Sequence, residues 1–423
     1  MSTKLKVAVI GSGGREHTII WKLGQSKQIG KLFAIPGNGG ISGIAECIKL
    51  DVADRGGILD FCKKEKIDLV VIGPEKPLSL GLADVLRQNN IAVVGPSKEA
   101  AMLEASKIFA KEFMVRSGIP TAKFRIAESK SEVLSAVDEF GFPFVIKMDG
   151  LCAGKGVFIC RDMGEVEQAL ETVYGNSDTG EKLLVEAFLK GEEASYMIIT
   201  DGENSVPLVT SRDHKKIYEG EKGPNTGGMG AVSPAPIDDK IEKKVEELVV
   251  RPLINGLKKE NIPYNGIIYA GLMILPDGGI RVLEFNARLG DPETQAILFR
   301  LDSDLMDILL PLGRDNRLPE GASLKWKKGI SCCVVVASAG YPGSYPKGDC
   351  IENLSDKLNT EDSYVFHAGT VRKDGKYYSD GGRVLGVTAI GNTLEEARKR
   401  AYNLVDKVKW KNSYFRKDIG IWR

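Results

Sequence analysis

The sequence is poor in the residues that protein-bound metals and nucleic acids usually require. It has only three histidines among 423 residues, and no two of its seven cysteines have the C-x-x-C spacing, so a structural zinc site is not expected. The 58 basic residues are balanced by 57 acidic ones, and no basic stripe is visible. A nucleic-acid partner is therefore not expected. Any anion that the protein binds should be small and held in a local pocket.

Long apolar runs are also missing. The apolar stretch after Lys6 ends at Ile10, and the run from Cys332 to Ala337 is too short to span a membrane. We therefore expect neither a signal peptide nor a membrane contact. An odd number of cysteines in a chain of this length is typical of a reducing compartment. These features predict a cytoplasmic protein, or one from an organelle interior if a transit peptide has been removed.

The first hundred residues alternate short β-branched runs with helical patterns, which is typical of a doubly wound parallel sheet. The predicted strands are Leu5–Ile10, Lys31–Ile35, Asp68–Ile72 and Ile91–Val94, and the predicted helices are Arg15–Gln25, Asp54–Lys66 and Leu78–Asn89. Each strand leads into a loop of small residues: GSGGREH, PGN, GPE and GPS. Because ligands of such sheets bind beyond the carboxyl ends of the strands, we expect a pocket there.

A chain of this length is too long for one core, and its patterns change along the sequence. We predict an α/β and α+β multidomain protein with an N-terminal α/β domain over 1–103 and a connecting helix within 104–120, where Lys98–Ser117 has the pattern of one long helix. A small strand-and-helix subdomain follows over 121–191. A central domain of antiparallel strands and long helices, such as Asp238–Lys259, spans 192–325, and a small mixed α/β domain spans 326–423.

The string KMDGLCAGKGV, from Lys147 to Val157, surrounds Lys155 with small residues. Glycines let backbone N–H groups approach phosphate oxygens, and the two lysines add positive charge. The string is not a Walker loop, because Gly156 stands where that motif needs Ser or Thr and because a strand pattern follows. A glycine-rich hairpin with surface lysines explains the string about equally well.

The string EFNARLGDPETQ, from Glu284 to Gln295, places Glu284, Asn286 and Arg288 on one face of a predicted strand. A carboxylate and an amide oxygen two residues apart can hold magnesium, which prefers hard oxygens together with nucleotide phosphates. Arg288 would then face a phosphoryl group or a carboxylate. A polar sheet face satisfied by water explains these residues poorly if the strand is central, so we favour the functional interpretation.

Two further loops carry candidate chemistry. The segment DHKKIYEGEKGPNTGGMG, from Asp213 to Gly230, is long, charged and glycine-rich, as expected of a mobile substrate loop, although a disordered connection has the same composition. GSGGREH, from Gly11 to His17, matches only half of the dinucleotide fingerprint. A helix N-terminus at Gly13–Arg15 is still a good anion site, and a sugar phosphate suits it better than a dinucleotide.

Together these strings resemble the phosphoribosylamine–glycine ligase family of the ATP-grasp superfamily. The resemblance extends from GSGGREH to RKDIG near the end of the chain, and its most specific strings are GPNTGGMGA, EFNARLGDPETQ, HAGT at His367–Thr370 and GGRVL at Gly381–Leu385. It implies that glycine and 5-phosphoribosylamine are joined to glycinamide ribonucleotide at the expense of ATP, a step of purine biosynthesis. It also implies an ATP-grasp core whose small subdomain closes as a lid.

The resemblance further implies roles for individual residues. Nucleotide contacts are expected from Lys107, Lys147, Gly154, Lys155, Gly156, Glu186, Phe188, Leu189 and Glu193. Substrate contacts are expected from Gly13, Gly14, Arg15, Asn38, Glu75, Asp213, Arg288 and Asp291, with catalytic roles for Arg288, Asp213 and Lys155. Glu284 and Asn286 are expected to bind Mg²⁺ or Mn²⁺. We expect a monomer, with a weak dimer as the alternative.

Three other functions remain as alternatives. A different ATP-grasp ligase or carboxylase would share the nucleotide site and change the acid and the amine. A dehydrogenase would need the complete dinucleotide fingerprint, which GSGGREH lacks. A non-catalytic nucleotide sensor would be expected to have lost Glu284, Asn286 or Arg288, and all three are present.

Overall fold

The computed structural model describes residues 4–152, 156–175, 177 and 179–422. Its N-terminal unit is a parallel sheet in the order β3-β2-β1-β4-β5, flanked by helices. The strands are β1 (Leu5–Gly11), β2 (Ile29–Pro36), β3 (Glu46–Cys47), β4 (Leu69–Ile72) and β5 (Val93–Val94), and the helices are α1 (Gly14–Leu23), α2 (Arg55–Glu65), α3 (Glu75–Ser79) and α4 (Leu82–Gln88). The doubly wound sheet expected from the alternation of strand and helix patterns is confirmed.

The single long helix predicted over Lys98–Ser117 is wrong. The chain instead forms α5 (Met102–Ala105) and α6 (Lys107–Arg116), separated by Ser106 in an extended conformation with φ −135° and ψ 116°. The Ser106 hydroxyl accepts a hydrogen bond from the N–H of Phe109 at 3.1 Å, so this serine starts a new helix rather than continuing the old one. The break places Lys107 at the N-terminus of α6.

The segment after α6 forms a separate antiparallel sheet in the order β6-β9-β7-β8 with two helices against it. Its elements are β6 (Phe124–Ser129), α7 (Lys130–Phe140), β7 (Phe144–Met148), β8 (Val157–Cys160), α8 (Met163–Tyr174) and β9 (Thr179–Ala187). This unit has its own apolar core, which allows it to behave as a distinct body.

The central unit is built on an antiparallel sheet in the order β11-β10-β16-β17. Its elements are β10 (Glu192–Thr200), β11 (Ser205–Pro207), α9 (Asp239–Val245), α10 (Arg251–Lys259), β16 (Gly266–Ile274), β17 (Ile280–Asn286), α11 (Glu293–Phe299) and α12 (Met306–Asp315). A π-helical turn, Glu246–Val250, joins α9 to α10, so the helix predicted over Asp238–Lys259 forms with one irregular turn.

The C-terminal sheet recruits strands from the middle of the chain, in the order β12-β15-β18-β23-β20. The strands contributed by the loop region are β12 (Arg212–Asp213), β13 (Lys216–Tyr218), β14 (Lys222–Asn225) and β15 (Gly230–Ser233). The later elements are β18 (Ile330–Ser338), β19 (Cys350–Ile351), β20 (Ser363–His367), β21 (Thr370–Lys373), β22 (Lys376–Ser379), β23 (Arg383–Gly391), α13 (Leu394–Val408) and β24 (Ser413–Tyr414). The loop from Asp213 to Gly230 is therefore anchored at both ends in this sheet.

Separate apolar clusters lie beneath these sheets, and the largest of them joins the N-terminal and central units. Across the residues that the structure describes, we find no helix that is both long and apolar enough to cross a bilayer.

Candidate active site

The predicted metal ligands lie at the end of β17. Glu284 and Asn286 hydrogen-bond to each other through their side chains, and Glu284 lies opposite Gly271 of β16. Burial opposes ionisation of Glu284, but three nearby ammonium groups outweigh it and lower the pKa of this carboxyl below its usual range; they belong to Lys215, Lys147 and Lys107. An ionised carboxylate beside an amide oxygen suits a divalent cation of the magnesium type.

No group of three or more His, Cys, Asp or Glu side chains converges as a metal site within the described ranges. A cation at Glu284 and Asn286 would therefore need further oxygen ligands from phosphate or water. Mg²⁺ is usually coordinated in this way, because it keeps several water ligands and binds through one or two protein oxygens plus substrate phosphates.

Arg288 lies just beyond β17 and is held between two carboxylates. Its Nε donates to Glu75 at 3.0 Å, its Nη2 lies 2.9 Å from Glu104, and Nη2 is 3.4 Å from the Asn286 side-chain oxygen. Glu104 also accepts from the N–H of Ala287 at 2.8 Å. Arg288 therefore shares one face with the metal pair, as its spacing in the sequence predicts, and its orientation is fixed by neighbours from the N-terminal unit.

A buried ionic triad joins β7 and β9 to α6. Glu186 on β9 contacts Lys147 of β7 at 3.0 Å and Lys111 of α6 at 3.3 Å, and all three side chains are buried. Burial lowers the pKa of Lys111 to about 8, and the charge of Glu186 opposes that shift. A nucleotide contact is predicted for Glu186; its side chain here holds the two lysines.

The turn after β7 is tied to the start of α6. Lys107 donates to the carbonyl of Gly150 at 2.8 Å, and Asp149 accepts from the hydroxyl of Ser106 and from the N–H of Ile108. A Cβ at Gly156 would lie 2.8 Å from the Cys152 side chain, so only glycine fits there without displacing it. Gly154 and Lys155, for which nucleotide contacts are predicted, lie outside the described residues.

The segment that follows β9 contains the remaining predicted nucleotide residues. Phe188 is exposed and Leu189 is half-buried. Glu193, at the start of β10, contacts Lys215 at 3.1 Å. The structure therefore places Glu193 beside the loop that carries Asp213.

Asp213 ends β12 and forms an ion pair with Lys215 at 3.1 Å. Burial raises the pKa of Asp213 to about 7, although the ammonium of Lys215 acts in the opposite direction. Lys215 also exerts its charge on Glu284, so the Asp213 loop lies near the Glu284–Asn286 pair. The sequence alone predicted Asp213 and gave no role to Lys215.

A second buried carboxylate in this region is Glu293 of α11. Glu293 accepts a hydrogen bond from the hydroxyl of Tyr269 at 2.8 Å and lies 3.3 Å from the hydroxyl of Ser195. Burial raises the pKa of the Tyr269 phenol well above its ordinary value, which keeps this hydroxyl a donor. The charge of Glu293 also contributes to the raised pKa of Asp213.

The first glycine-rich loop is occupied by protein carboxylates. The N–H of Gly13 donates to Glu16 at 2.6 Å, and the N–H of Arg15 donates to Asp291 at 3.3 Å. The Arg15 guanidinium is buried, with Nε 2.7 Å from Glu16 and Nη1 donating to the carbonyl of Leu289. In this structure the N–H groups of this helix start bind side-chain carboxylates of the chain itself, and the phosphate predicted here stays a prediction.

The neighbouring predicted residues mainly join domains. A Cβ at Gly14 would meet the Gln295 side-chain nitrogen at 2.4 Å, so glycine here permits close packing of α1 on α11. Asn38 donates to the carbonyls of Ser12 and His367 and accepts from two N–H groups of its own turn. Asn38 therefore links the N-terminal unit to the C-terminal sheet.

Several residues at this site received no role from the sequence: Glu104, Lys111, Lys215, Tyr269, Glu293 and Arg383. Arg383 was quoted only within the string GGRVL; its guanidinium lies 3.5 Å from Asp291 and donates to the Gly227 carbonyl. Lys215 and Glu293 also lie inside quoted strings, so their charge and position in the sequence could have predicted a place at the site. Glu104 and Lys111 lie on helices whose pattern does not distinguish them from surface residues.

The comparisons with known proteins agree along the whole chain. Three family models, described as the N domain, the ATP-grasp (A) domain and the C domain of phosphoribosylglycinamide synthetase, match residues 5–104, 105–294 and 331–422. A curated phosphoribosylamine–glycine ligase of Synechocystis is 46% identical over 420 residues, which cover 98% of this chain and 99% of the relative. One of Caldanaerobacter subterraneus is 44% identical over 422 residues, again covering 98% and 99%.

A solved structure shows the same architecture. The crystal structure of phosphoribosylamine–glycine ligase from Thermotoga maritima is 36% identical, has a TM-score of 0.84, and is matched over 98% of this chain and 100% of that one. The chain therefore belongs to the phosphoribosylglycinamide synthetase family, whose ATP-grasp domain uses ATP with a divalent metal ion.

Proposed function

We propose that this chain joins glycine to 5-phosphoribosylamine with consumption of ATP, giving glycinamide ribonucleotide, ADP and phosphate in purine biosynthesis. The observation that carries the proposal is the convergence of an ionised Glu284, the paired Arg288 and the buried Asp213 on one pocket, in a chain whose relatives of 44% and 46% identity are named phosphoribosylamine–glycine ligases.

The chemistry requires activation of an acid. A carboxylate does not react with an amine, because oxide would have to leave. Transfer of the γ-phosphoryl group of ATP to a carboxylate oxygen of glycine gives glycyl phosphate and ADP. The amine of phosphoribosylamine then attacks the carbonyl carbon, phosphate leaves, and the amine loses a proton to solvent as the amide forms. No protein nucleophile is needed, so the chain contributes positioning and charge.

We assign the roles as follows. Asp213 orients glycine through its ammonium group, and Arg288 stabilises negative charge on the transferring group. Lys107 and Lys147 contact the nucleotide phosphates, and the loop containing Gly154, Lys155 and Gly156 closes over them. The segment from Glu186 to Leu189 holds the adenine, and Glu193 holds the ribose of ATP.

Glu284 and Asn286 would hold the metal ion, which we propose is Mg²⁺, with Mn²⁺ as a substitute. When bound, this cation neutralises phosphate charge. The ionised state of Glu284 and the two hard oxygens support this choice over a softer metal.

Phosphoribosylamine is assigned to the crevice above the N-terminal sheet. Glu75 starts α3 directly after β4, faces Arg288, and is placed to accept from ribose hydroxyls. The turn Gly13–Arg15 is assigned to the ribose phosphate, which would replace Glu16 and Asp291 as acceptor of its N–H groups. Asn38 and Asp291 complete the wall of this crevice.

An acyl phosphate hydrolyses unless water is excluded during transfer. The unit from 121 to 191 has its own core and carries Lys147, so we propose that it closes over the nucleotide as a lid. We propose that the enzyme works in the cytoplasm as a monomer, with a weak dimer as the alternative.

The test is release of ADP by the purified chain with ATP, Mg²⁺, glycine and freshly made phosphoribosylamine, with each component omitted in turn. We expect ADP only when all are present, and a loss of turnover by orders of magnitude in Glu284→Gln. ADP release that needs bicarbonate or another acid instead of glycine would reject the proposal in favour of a different ATP-grasp ligase or carboxylase.

A further inference from the structure

The last described residues of the chain lie against the loop that carries Asp213. We call residues 213–230 the substrate loop and residues 414–422 the C-terminal clamp. The clamp follows α13, and its first part forms β24, which pairs with β18 at the edge of the C-terminal sheet. From there the chain runs across the substrate loop.

Arg416 is the centre of the clamp and is completely buried. Its guanidinium binds Asp418 through Nε and Nη2 at 2.8 Å each, and Nη2 also donates to Glu221 of the substrate loop at 2.7 Å. Its Nη1 donates to the carbonyl of Lys216 at 2.9 Å. A buried guanidinium that is paired in this way fixes the position of both carboxylates, because removal of any partner leaves a desolvated charge.

His214 of the substrate loop also contacts the clamp. The N–H of Gly420 donates to Nε2 of His214 at 2.8 Å, so the ring proton resides on Nδ1, which donates to Glu221 at 2.7 Å. The His214 ring stacks on Trp422 with ring centres 5.2 Å apart and an angle of 9°. The clamp thus holds this histidine at Nε2 and on one face, and Glu221, which Arg416 binds, holds it at Nδ1.

Contacts with the clamp also hold residues 217–221 of the substrate loop. Glu221 lies at φ +55°, in the left-handed region that is unfavourable for a side chain other than glycine, and needs external contacts to stay there. The additional contacts from clamp to loop are the Tyr414 hydroxyl to the Ile217 carbonyl at 3.0 Å, the Gly220 N–H to Asp418 at 2.8 Å, and the Lys417 N–H to Glu219 at 3.2 Å. The loop is therefore far from the disordered connection that its composition also permits.

His214 lies between Asp213 and Lys215 in the chain. Neighbouring side chains of an extended chain point to opposite sides, so a histidine directed toward the clamp directs Asp213 and Lys215 away from it. Their ion pair and the contact of Lys215 with Glu193 place both side chains on the side of β10. A shift of His214 would displace both.

We propose that the C-terminal clamp positions the substrate loop for the ligation, with Arg416 acting through Glu221 and His214 on the orientation of Asp213 and Lys215. Arg416 is thus a positioning residue and not a catalytic one. This inference rests on the proposed function, in which Asp213 orients glycine. A misplacement of about 1 Å at a reacting group can cost about a hundredfold in rate.

The experiment compares Arg416→Met and Glu221→Gln with Lys417→Ala, a substitution of an exposed side chain in the same segment. We expect kcat/KM for glycine to fall by about tenfold to a hundredfold in both clamp variants, while KM for ATP changes by less than about twofold. Arg416→Lys should recover part of the loss, and amide exchange of residues 213–230 should be faster in the clamp variants than in Lys417→Ala.

Equal losses for glycine and ATP, or clamp variants that match Lys417→Ala in kinetics and exchange, would overturn the inference. If Arg416→Met does not fold, Glu221→Gln decides alone, since its half-exposed side chain can be exchanged without opening the core. The wild-type protein is the control for the proposed function. If it releases ADP only with both substrates, a negative result for the clamp variants rejects the clamp inference alone. Without that activity, both are rejected.

Discussion

Glu186 is buried between two lysines, and only one of them is expected to leave when ATP binds. Lys147 is assigned to the nucleotide phosphates, whereas Lys111 has its Nζ 3.3 Å from Glu186 and lies on α6, outside the lid. Lys111 can therefore keep Glu186 neutralised after Lys147 has turned to the phosphates. With these proposed roles, the triad would let Lys147 turn to the phosphates without leaving Glu186 as an unpaired buried charge.

We therefore expect Lys111→Met to raise KM for ATP by about tenfold or more, since an unpaired buried carboxylate costs about 1–3 kcal/mol or more. Lys147 would then be retained by Glu186. The double variant Lys111→Met/Glu186→Gln removes both charges and should bind ATP better than the single variant. Equal ATP binding by the two variants in titration calorimetry would show that Lys111 has no such role.

The proposed role of Asp213 predicts that the use of glycine depends on pH. Burial raises the pKa of this carboxyl to about 7, so it is increasingly protonated as the pH falls below 7 and then cannot hold an ammonium group by charge. We expect kcat/KM for glycine to fall about tenfold per pH unit below the pKa. Asp213→Asn should have low activity and a flat profile between pH 6 and 8; a wild-type profile as flat as that of the variant would contradict the assignment.

At the scale of elements, α6 and the lid are joined by a shared helix cap. Asp149, from the turn after β7, accepts from the N–H of Ile108 at 3.1 Å and from the Ser106 hydroxyl at 3.0 Å. A carboxylate at a helix N-terminus is stabilised by the exposed N–H groups and by the helix dipole. The contact ties the strand that carries Lys147 to the helix that begins with Lys107.

Asp149→Ala should lower the free energy of unfolding by about 1 kcal/mol and raise KM for ATP, because a cap and the link between lid and helix are lost together. Asp162→Ala is the matched control: Asp162 caps α8 through the N–H of Glu165 at 2.9 Å, on the same lid and away from α6. We expect the control to lose similar stability with an unchanged KM for ATP. If both variants lose affinity equally, the cap has no special link to the nucleotide site.

The elements also show what a sequence can predict. The strands of the N-terminal sheet lie close to their predicted bounds, because their apolar runs and the loops that end them are local signals. The prediction of one helix over Lys98–Ser117 was wrong because the Ser106 hydroxyl binds the backbone N–H of Phe109 and starts a new helix. The pairing of β15 with β18, from Gly230 opposite Val334 onward, joins residues a hundred positions apart, and no local pattern encodes it.

The same distinction applies to the site. Glu284, Asn286 and Arg288 stand in one short string, and their alternation was enough to place them together. Glu104 reaches Arg288 only through the docking of α5 on the end of β17, so its role depends on tertiary structure. The anion site predicted at Gly13–Arg15 stays a prediction, because the carboxylates that bind its N–H groups here come from Glu16 and, through tertiary structure, from Asp291.

For the molecule as a whole, all three histidines lie in buried contacts between distant parts of the chain. His17 on α1 accepts from the N–H of His367 through Nδ1 at 2.8 Å, and His214 accepts from the N–H of Gly420. Burial lowers the pKa of all three imidazoles, that of His17 to about 3. Each is neutral in the folded protein at neutral pH, and each would be charged in an unfolded chain below about pH 6.5.

These shifts fix the direction in which acid acts on stability. Because the folded-state pKa of His17 lies below the unfolded one, the unfolded chain binds the proton first as the pH falls. The stabilisation is fully present above about pH 6.5 and is lost toward pH 3, by at most about 1.4 kcal/mol per pH unit for each histidine. His17→Asn keeps an acceptor for the His367 N–H and removes one titrating group, so its apparent melting temperature should be lower than wild type at pH 7.5 and should fall less steeply toward pH 5.5. Parallel curves for the two proteins would mean that His17 does not link protonation to unfolding, and that buried groups elsewhere set the acid sensitivity of the molecule.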